Sequence, residues 1–282
     1  MKNKLIADAG STKVEWALLK ADGEVATSFV SDGLNVLLAH PDVVKKTFLE
    51  VSHRLPKDVK VEEVHYYGAG CATDEICSKT KEAIAEIWSD ADISVASDLL
   101  GAARSLFGKR KGIACILGTG SNSCLYDGSV IVSQIPSLGY VLGDEGSGAA
   151  LGKRLGSDTF KNQLPESIRE KFLETYGLTL PSILDNIYRN PSPNKFLASL
   201  VPFLHDNLWN PYIYSLVLKE LTKFVARNVA MYPGAHTLDL SFTGAIAFHF
   251  AKILREAAES LGYRVTSIAE TPMEGLLEFH RH

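Results

Sequence analysis

No stretch of this 282-residue chain reaches the roughly 18 to 20 uninterrupted apolar residues of a membrane helix, so no membrane partner is expected. Concentrated basic sequence is also missing. Its 29 Lys and Arg are scattered against 33 Asp and Glu, and the net charge of -4 excludes the electrostatic footprint of a nucleic-acid binder. Cysteine is scarce: Cys71, Cys77, Cys115 and Cys124 form no CxxC pair. Cys115 and Cys124 stand in apolar, strand-like sequence, so buried thiols are expected rather than a disulfide framework. The opening residues up to Asp8 carry an acid where a signal peptide needs its apolar stretch, which makes the cytoplasm the expected location.

Several catalytic signatures are absent as well. None of the eight histidines lies in HExxH or at metal spacing from a cysteine, and there is no Gly-x-Ser-x-Gly elbow, so metalloenzyme and serine-hydrolase chemistry are poor fits. There is no GxxxxGK[ST] string, and Gly118-x-Gly120 lacks the third glycine and βαβ setting of a dinucleotide fingerprint. The Trp and Phe residues are scattered rather than interleaved with Arg and Lys, as a nucleic-acid stacking platform would require.

What is present is a pattern used twice. Lys4 to Asp8 reads as a buried strand, Val14 to Leu19 as a second after a tight small-residue turn, and Asp22-Gly23 as a hairpin into a third strand, Glu24 to Val30. Asp-Gly suits a hairpin in which both turn residues take positive φ. Gly112 to Leu117, the turn Gly118 to Ser121 and the hairpin Asp127-Gly128 before Ser129 to Gln134 repeat the order. Two copies about a hundred residues apart indicate a duplicated domain rather than a solenoid. A length of 282 residues fits two cores, with the hinge expected near Gly108 to Lys111.

Between the copies, strand-like Val61 to Tyr67 and Ile93 to Ser97 flank a helical pattern from Thr73 to Trp88, which implies parallel crossovers. Helices are expected over 146–155, 165–176, 181–188, 194–207 and 213–232. A strand at 238–242, a helix at 246–261, a strand at 264–268 and a helix from Pro272 close the chain.

Small residues between strands let backbone N–H groups converge on phosphate oxygens, and both Gly10-Ser11-Thr12 and Gly118-Thr119-Gly120-Ser121 have that composition. Either alone reads as an ordinary turn; two in equivalent places favour a phosphate cradle. Asp8, at the end of the first strand, is suited to organising Mg²⁺ through its waters, or simply to capping the turn. Asp98 stands at the end of its strand and the start of an apolar helix, where it serves either as an N-cap or as the base that takes a proton from an attacking hydroxyl. The base reading ranks first. Gly143-Asp144-Glu145-Gly146-Ser147 puts two acids in a Gly-rich turn, which sugar hydroxyls could satisfy; helix-dipole placement accounts for Glu145 alone. Asn35, in a Gly-flanked loop, both donates and accepts, as a vicinal diol requires, although a turn role is commoner.

Together, Asp8-Ala-Gly-Ser-Thr-Lys13, Ser97-Asp98, Gly118-Thr-Gly-Ser-Asn122 and Gly143-Asp-Glu-Gly-Ser147 resemble the N-acetylglucosamine kinase and BadF/BadG/BcrA/BcrD ATPase family, within the actin and sugar-kinase superfamily. The resemblance spans nearly the whole chain. It implies an α/β fold of two ribonuclease-H-like domains, residues 1–108 and 109–270, with ATP and sugar in a central cleft and the segment 271–282 crossing back to the first domain. It implies an ATP-dependent kinase that phosphorylates the 6-hydroxyl of an amino sugar, most simply N-acetylglucosamine. On this mapping Asp98 is the base, and Asp8 organises Mg²⁺. Gly10, Ser11, Thr12, Lys13, Gly118, Thr119, Gly120 and Ser121 hold the phosphates of ATP. Thr243, Gly244 and Ala245 lie under the adenosine, and Asn35, Asp98, Gly139 and Asp144 bind the sugar.

Two departures stand out: Gly244-Ala245 replaces the usual Gly-Gly, and Leu138 precedes Gly139 where glucosamine kinases carry Trp. The rival readings are an ATPase activator of a radical dehydratase or reductase, which would need cysteines for a bridging cluster, and a non-catalytic nucleotide-dependent sensor. The expected partner is a small-molecule sugar, with a homodimer left open.

Overall fold

Leu5, Ala7 and Ala9 alternate with Ile6 and Asp8 along β1 (Lys4–Ala9), the central strand of the first of two sheets in a computed structural model that describes residues 2–281. β2 (Lys13–Leu19) and β3 (Val25–Asp32) continue it as an antiparallel meander on one side. On the other side β4 (Glu63–Gly68) and β5 (Asp92–Ser97) add in parallel, giving the order β3-β2-β1-β4-β5. Parallel neighbours need crossovers, and these carry α1 (Pro41–Arg54) and α2 (Asp74–Ala85). β5 leads straight into α3 (Asp98–Phe107).

The second sheet repeats this plan. β6 (Gly112–Leu117) pairs antiparallel with β7 (Ser121–Tyr126), β8 (Ile131–Ile135) lies beyond it, and β9 (Leu240–Thr243) and β10 (Val265–Ala269) add in parallel on the other side. Its order, β8-β7-β6-β9-β10, is that of the first sheet.

Between β8 and β9 run α4 (Gly139–Leu142), α5 (Gly148–Phe160), α6 (Glu166–Tyr176), α7 (Leu180–Tyr188), α8 (Pro193–Ser199), α9 (Val201–Asp206) and α10 (Pro211–Arg227). α11 (Ala245–His249) and α12 (Ala251–Glu259) precede β10, and α13 (Met273–Arg281) ends the described chain. Packing divides the molecule into two compact units. The first runs through Arg110 and includes Asp127–Ile131 and the chain from Thr271; the second is Lys111–Tyr126 with Val132–Glu270. No helix among the described residues is long and apolar enough to cross a membrane.

The first core is built on Trp16, Phe48 and Tyr66, all buried, with Phe48 edge-on to both other rings at centroid distances of 6.2 and 5.7 Å. Phe48 comes from α1, whose buried residues Val44, Phe48 and Val51 follow helical spacing over a segment to which the sequence reading assigned no helix. The second core gathers Leu151, Phe172, Phe224 and Phe242 from helices and sheet.

Four sequence expectations are corrected. Asp22 keeps a negative φ and only Gly23 is positive, at 89°: Gly23 N–H donates to Lys20 O, and the register slips at Leu18/Leu19, a bulged hairpin rather than a turn with two positive residues. The single helix expected over 194–207 is two, α8 and α9, because Pro202 has no N–H to donate to the preceding turn. The helix expected over 246–261 is also two, broken at the buried Phe250, and α10 stops at Arg227 rather than Tyr232.

Candidate active site

In the first unit, three loops interlock at the C-terminal ends of β1, β3 and β4. Gly33 N–H donates to Thr12 O at 3.1 Å, Leu34 N–H to Gly10 O at 3.1 Å and Ala69 N–H to Ala9 O at 2.7 Å. Gly33 permits this approach, since a Cβ there would run into Ser11 O. Asn35 is held in the same knot: its Oδ1 accepts from Leu37 N–H at 3.1 Å, and its Nδ2 donates to Ser11 Oγ at 3.4 Å. Gly10 N–H is already committed to Lys13 O at 3.0 Å, so the first loop offers fewer backbone donors to a phosphate than its composition suggests. Lys13 Nζ pairs with Glu15 at 2.5 Å on the exposed side.

The two acids of this unit lie one strand apart, on either side of β4. Burial first, and then the Asp98 and Glu15 carboxylates, push Asp8 up to about 7, with Lys13 working against them. Burial likewise pushes Asp98 up to about 6, opposed by backbone N–H donors including Leu99, which lies 2.9 Å from Oδ1. Capping α3 is not Asp98's task. Ser97 Oγ accepts from Leu100 N–H at 3.2 Å and is the N-cap, which leaves Asp98 as the first helical residue. Sequence reasoning did not single out Glu15, although β1–β2 pairing sets it opposite Asp8; the hairpin register was the available signal.

In the second unit, the loop Gly118–Ser121 is bolted to the turn that follows Gly143. Gly148 N–H donates to Gly118 O at 2.8 Å, Ala149 N–H to Thr119 O at 3.0 Å, and Ser121 N–H to Asp144 Oδ1 at 3.1 Å. Gly118 N–H itself goes to Gly120 O at 2.9 Å. The glycine run now has a cause: Gly146 has φ +71° with Phe224 against it, and a Cβ on Gly148 would meet Ala198 at 3.0 Å.

Asp144 takes φ 53°, is buried, and is pushed up first by burial and then by Glu145, while the Ser121 N–H acts the other way. It therefore sits with the Gly118–Ser121 loop. Glu145 pairs with Arg227 Nε at 2.5 Å. Gly139 has φ +68° and accepts Gly143 N–H, and Leu138 before it is left-handed and exposed.

β6 and β9 are parallel neighbours, so the Thr243–Ala245 segment ends beside the Gly118–Ser121 loop. A Cβ on Gly244, at φ +111°, would strike Leu117 O and come within 3.3 Å of Gly118 N. Thr243 Oγ1 is buried without a hydrogen-bond partner. A groove of about 530 Å³ lined by Arg154, Asp158, Tyr212 and Glu220 contains none of the expected site residues, and its acids are paired internally, Asp158 with Arg154 and Tyr212, Glu220 with Lys223.

No protein-family model and no curated protein sequence matches the chain. Solved structures do. A candidate N-acetylglucosamine kinase from Porphyromonas gingivalis is 40% identical, with a TM-score of 0.93, over 100% of this chain and 99% of that one. The chain belongs to the N-acetylglucosamine kinase family. A second candidate N-acetylglucosamine kinase, from Chromobacterium violaceum, shares its fold at 19% identity and TM-score 0.74 over 99% of both chains. So does a ROK family glucokinase from Streptomyces griseus, solved with glucose and AMPPNP, at 13% identity and TM-score 0.60 over 98% and 97%. The fold of this N-acetylglucosamine kinase family member is the two-domain α/β architecture of actin-like sugar kinases, each domain ribonuclease-H-like in sheet order.

Proposed function

We propose that this ATP-dependent sugar kinase transfers the γ-phosphoryl group of ATP to the 6-hydroxyl of N-acetylglucosamine. Asp98 carries the reading: it is relieved of capping by Ser97 and held by burial near pH 6, where a carboxylate is ionised at neutral pH yet still basic enough to accept a proton. In the transfer the sugar 6-oxygen attacks the γ-phosphorus and Asp98 takes the hydroxyl proton. The bond from phosphorus to the bridging oxygen breaks, and ADP leaves.

Gly10–Lys13 and Gly118–Ser121 are assigned to the phosphates, Thr243–Ala245 to the adenosine, and Asn35, Gly139 and Asp144 to the sugar together with Asp98. Asp8 fits a hydrated Mg²⁺, because Glu15 and Asp98 add negative charge around its carboxyl that Lys13 offsets only in part. When bound, Mg²⁺ would offset charge on the phosphoryl group in flight.

The amino-sugar acceptor is supported by the 40% identity to the Porphyromonas protein and by the Gly143–Ser147 turn. The cytoplasm, where ATP is supplied, is the proposed setting. A cluster-bearing activator is a weaker reading: Cys115 and Cys124 are fully buried, and burial pushes both thiols up, Cys124 to about 12.

A coupled ADP-release screen over hexoses, hexosamines and their N-acetyl and N-muramyl forms tests the acceptor. N-acetylglucosamine should give the highest kcat/KM. ADP release that no sugar stimulates would favour a nucleotide-dependent sensor instead.

A further inference from the structure

Cys71 and Cys77 lie against each other at the step from β4 to α2. Cys71 is buried just past the end of β4; Cys77, in the first turn of α2, is half-buried, and its Sγ donates to Cys71 O at 3.8 Å. Burial first, and then the Cys77 sulfur, push the Cys71 thiol up to about 12, with Asp98 adding to the rise. The turn that carries Cys71 also braces Asn35. Ala69 O accepts from Val36 N–H at 3.3 Å, and Gly70, at φ +88°, lies so close to Asn35 Oδ1 that a Cβ there would strike it. Cys71 N–H is tied to Gly68 O at 3.1 Å and Ala72 N–H to Gly70 O at 2.8 Å, so a displacement of Cys71 is passed on to Gly70.

We propose that Cys71 and Cys77 are a thiol-modification site, which a low-molecular-weight disulfide converts to an intramolecular Cys71–Cys77 bond that loosens the Asn35 loop. Cys77 is the reachable thiol: as thiolate it attacks one sulfur of the oxidant, such as oxidised glutathione, and one glutathione thiolate leaves. Cys71, deprotonated in turn, attacks Cys77 Sγ of the mixed disulfide and expels the second glutathione. Two protein thiols are oxidised to one disulfide, the oxidant's disulfide is reduced to two thiols, and the two protons pass to the departing glutathiones. The tightly held proton of Cys71 makes its step the slow one at neutral pH. A sulfur–sulfur bond is about 2.0 Å, shorter than any non-bonded contact, so closing it draws Cys71 toward α2 and Gly70 away from Asn35. The consequence for the sugar rests on the assignment of Asn35 above; the disulfide itself does not.

The test holds the whole chain with oxidised glutathione at about pH 8.5, near the ordinary cysteine pKa, then denatures, alkylates and maps it by mass spectrometry. Of the four thiols, Cys115 and Cys124 should stay alkylatable, Cys71 and Cys77 should appear as one cross-linked pair, and dithiothreitol should reverse the link. Amide hydrogen exchange at Val36 and Leu37 should quicken about tenfold in the oxidised chain. The KM for N-acetylglucosamine should rise about tenfold while the KM for ATP stays within about twofold. Cys77→Ser should keep the parent's kinetics and lose every response to the oxidant. Four alkylatable thiols after treatment, a glutathione adduct that stays on Cys77, or a disulfide that leaves Val36 and Leu37 exchange unchanged would overturn the proposal. Absence of sugar phosphorylation by the reduced chain would overturn the kinase reading alone, since the thiol count and amide exchange still decide the disulfide.

Discussion

Replacing Asp98 by Asn removes a charge that the fold holds at a cost, so the substitution should move activity and stability in opposite directions. The carboxyl is raised from its ordinary 3.8 to about 6, chiefly by burial. Because the folded form binds its proton more tightly than the unfolded chain, ionisation destabilises the fold as pH rises from about 3.8, and the penalty is complete above about 6. That rise corresponds to about 3 kcal/mol. Asp98 keeps partial surface exposure, and solvent screening reduces the figure to roughly 1–2 kcal/mol. Asn at 98 should therefore raise Tm by a few degrees at pH 7.5, at about 2–4 °C per kcal/mol, and the gain should vanish toward pH 4. Turnover should fall by about 10² to 10⁴, with ADP affinity largely kept. Scanning fluorimetry across pH together with steady-state kinetics reads both. A variant that turns over at near the parent rate, or that loses stability at neutral pH, would refute the assignment of Asp98 as a strained base.

Other expectations follow from the same geometry. His280 is buried against Tyr67 and His65, and burial, then His65, Lys4 and Arg104, push it down to about 3 from an ordinary 6.5. Neutral His is thus favoured in the fold, and stability should be lost as pH falls below about 6.5, by about 2 kcal/mol at pH 5, with hydrogen exchange quickening first in α13. Phe48→Ala should cost about 3–5 kcal/mol in denaturant melts, since it empties the space between Trp16 and Tyr66. Asp144→Ala removes a proposed sugar contact and leaves the Ser121 N–H without its acceptor, so it should raise KM for N-acetylglucosamine about tenfold in initial-rate measurements; an unchanged sugar KM would remove Asp144 from the sugar site.

The duplicated sheets were legible because their strands are short apolar runs ended by small-residue turns, and β6 falls on the residues read from sequence. Asp98 was legible for the same reason: it punctuates a strand and opens a helix. α1 escaped although Val44, Phe48 and Val51 mark its buried stripe, because the stripe is narrow and the exposed Val43 and Leu49 beside it blur the helical period. The hydrogen bonds that use up Gly10, Gly118 and Ser121 N–H groups could not be read in advance. They depend on Lys13 O, Gly120 O and the Asp144 carboxylate arriving in register, and composition shows only that the approach is sterically open. Asp144 illustrates the limit: its place in a Gly-rich acidic turn was visible, but its attachment to a loop twenty-three positions earlier required the fold.

The central claim is phosphoryl transfer to a specific oxygen, and product analysis addresses it most directly. The chain is incubated with ATP, Mg²⁺ and N-acetylglucosamine, ADP release is followed, and the phosphate is located by phosphorus–carbon coupling in the NMR spectrum of the product. The account predicts sugar-dependent ADP release, phosphorus coupled to C6, and no turnover of the 6-deoxy sugar. Phosphate on another carbon, or ADP released at the same rate without sugar, would contradict it.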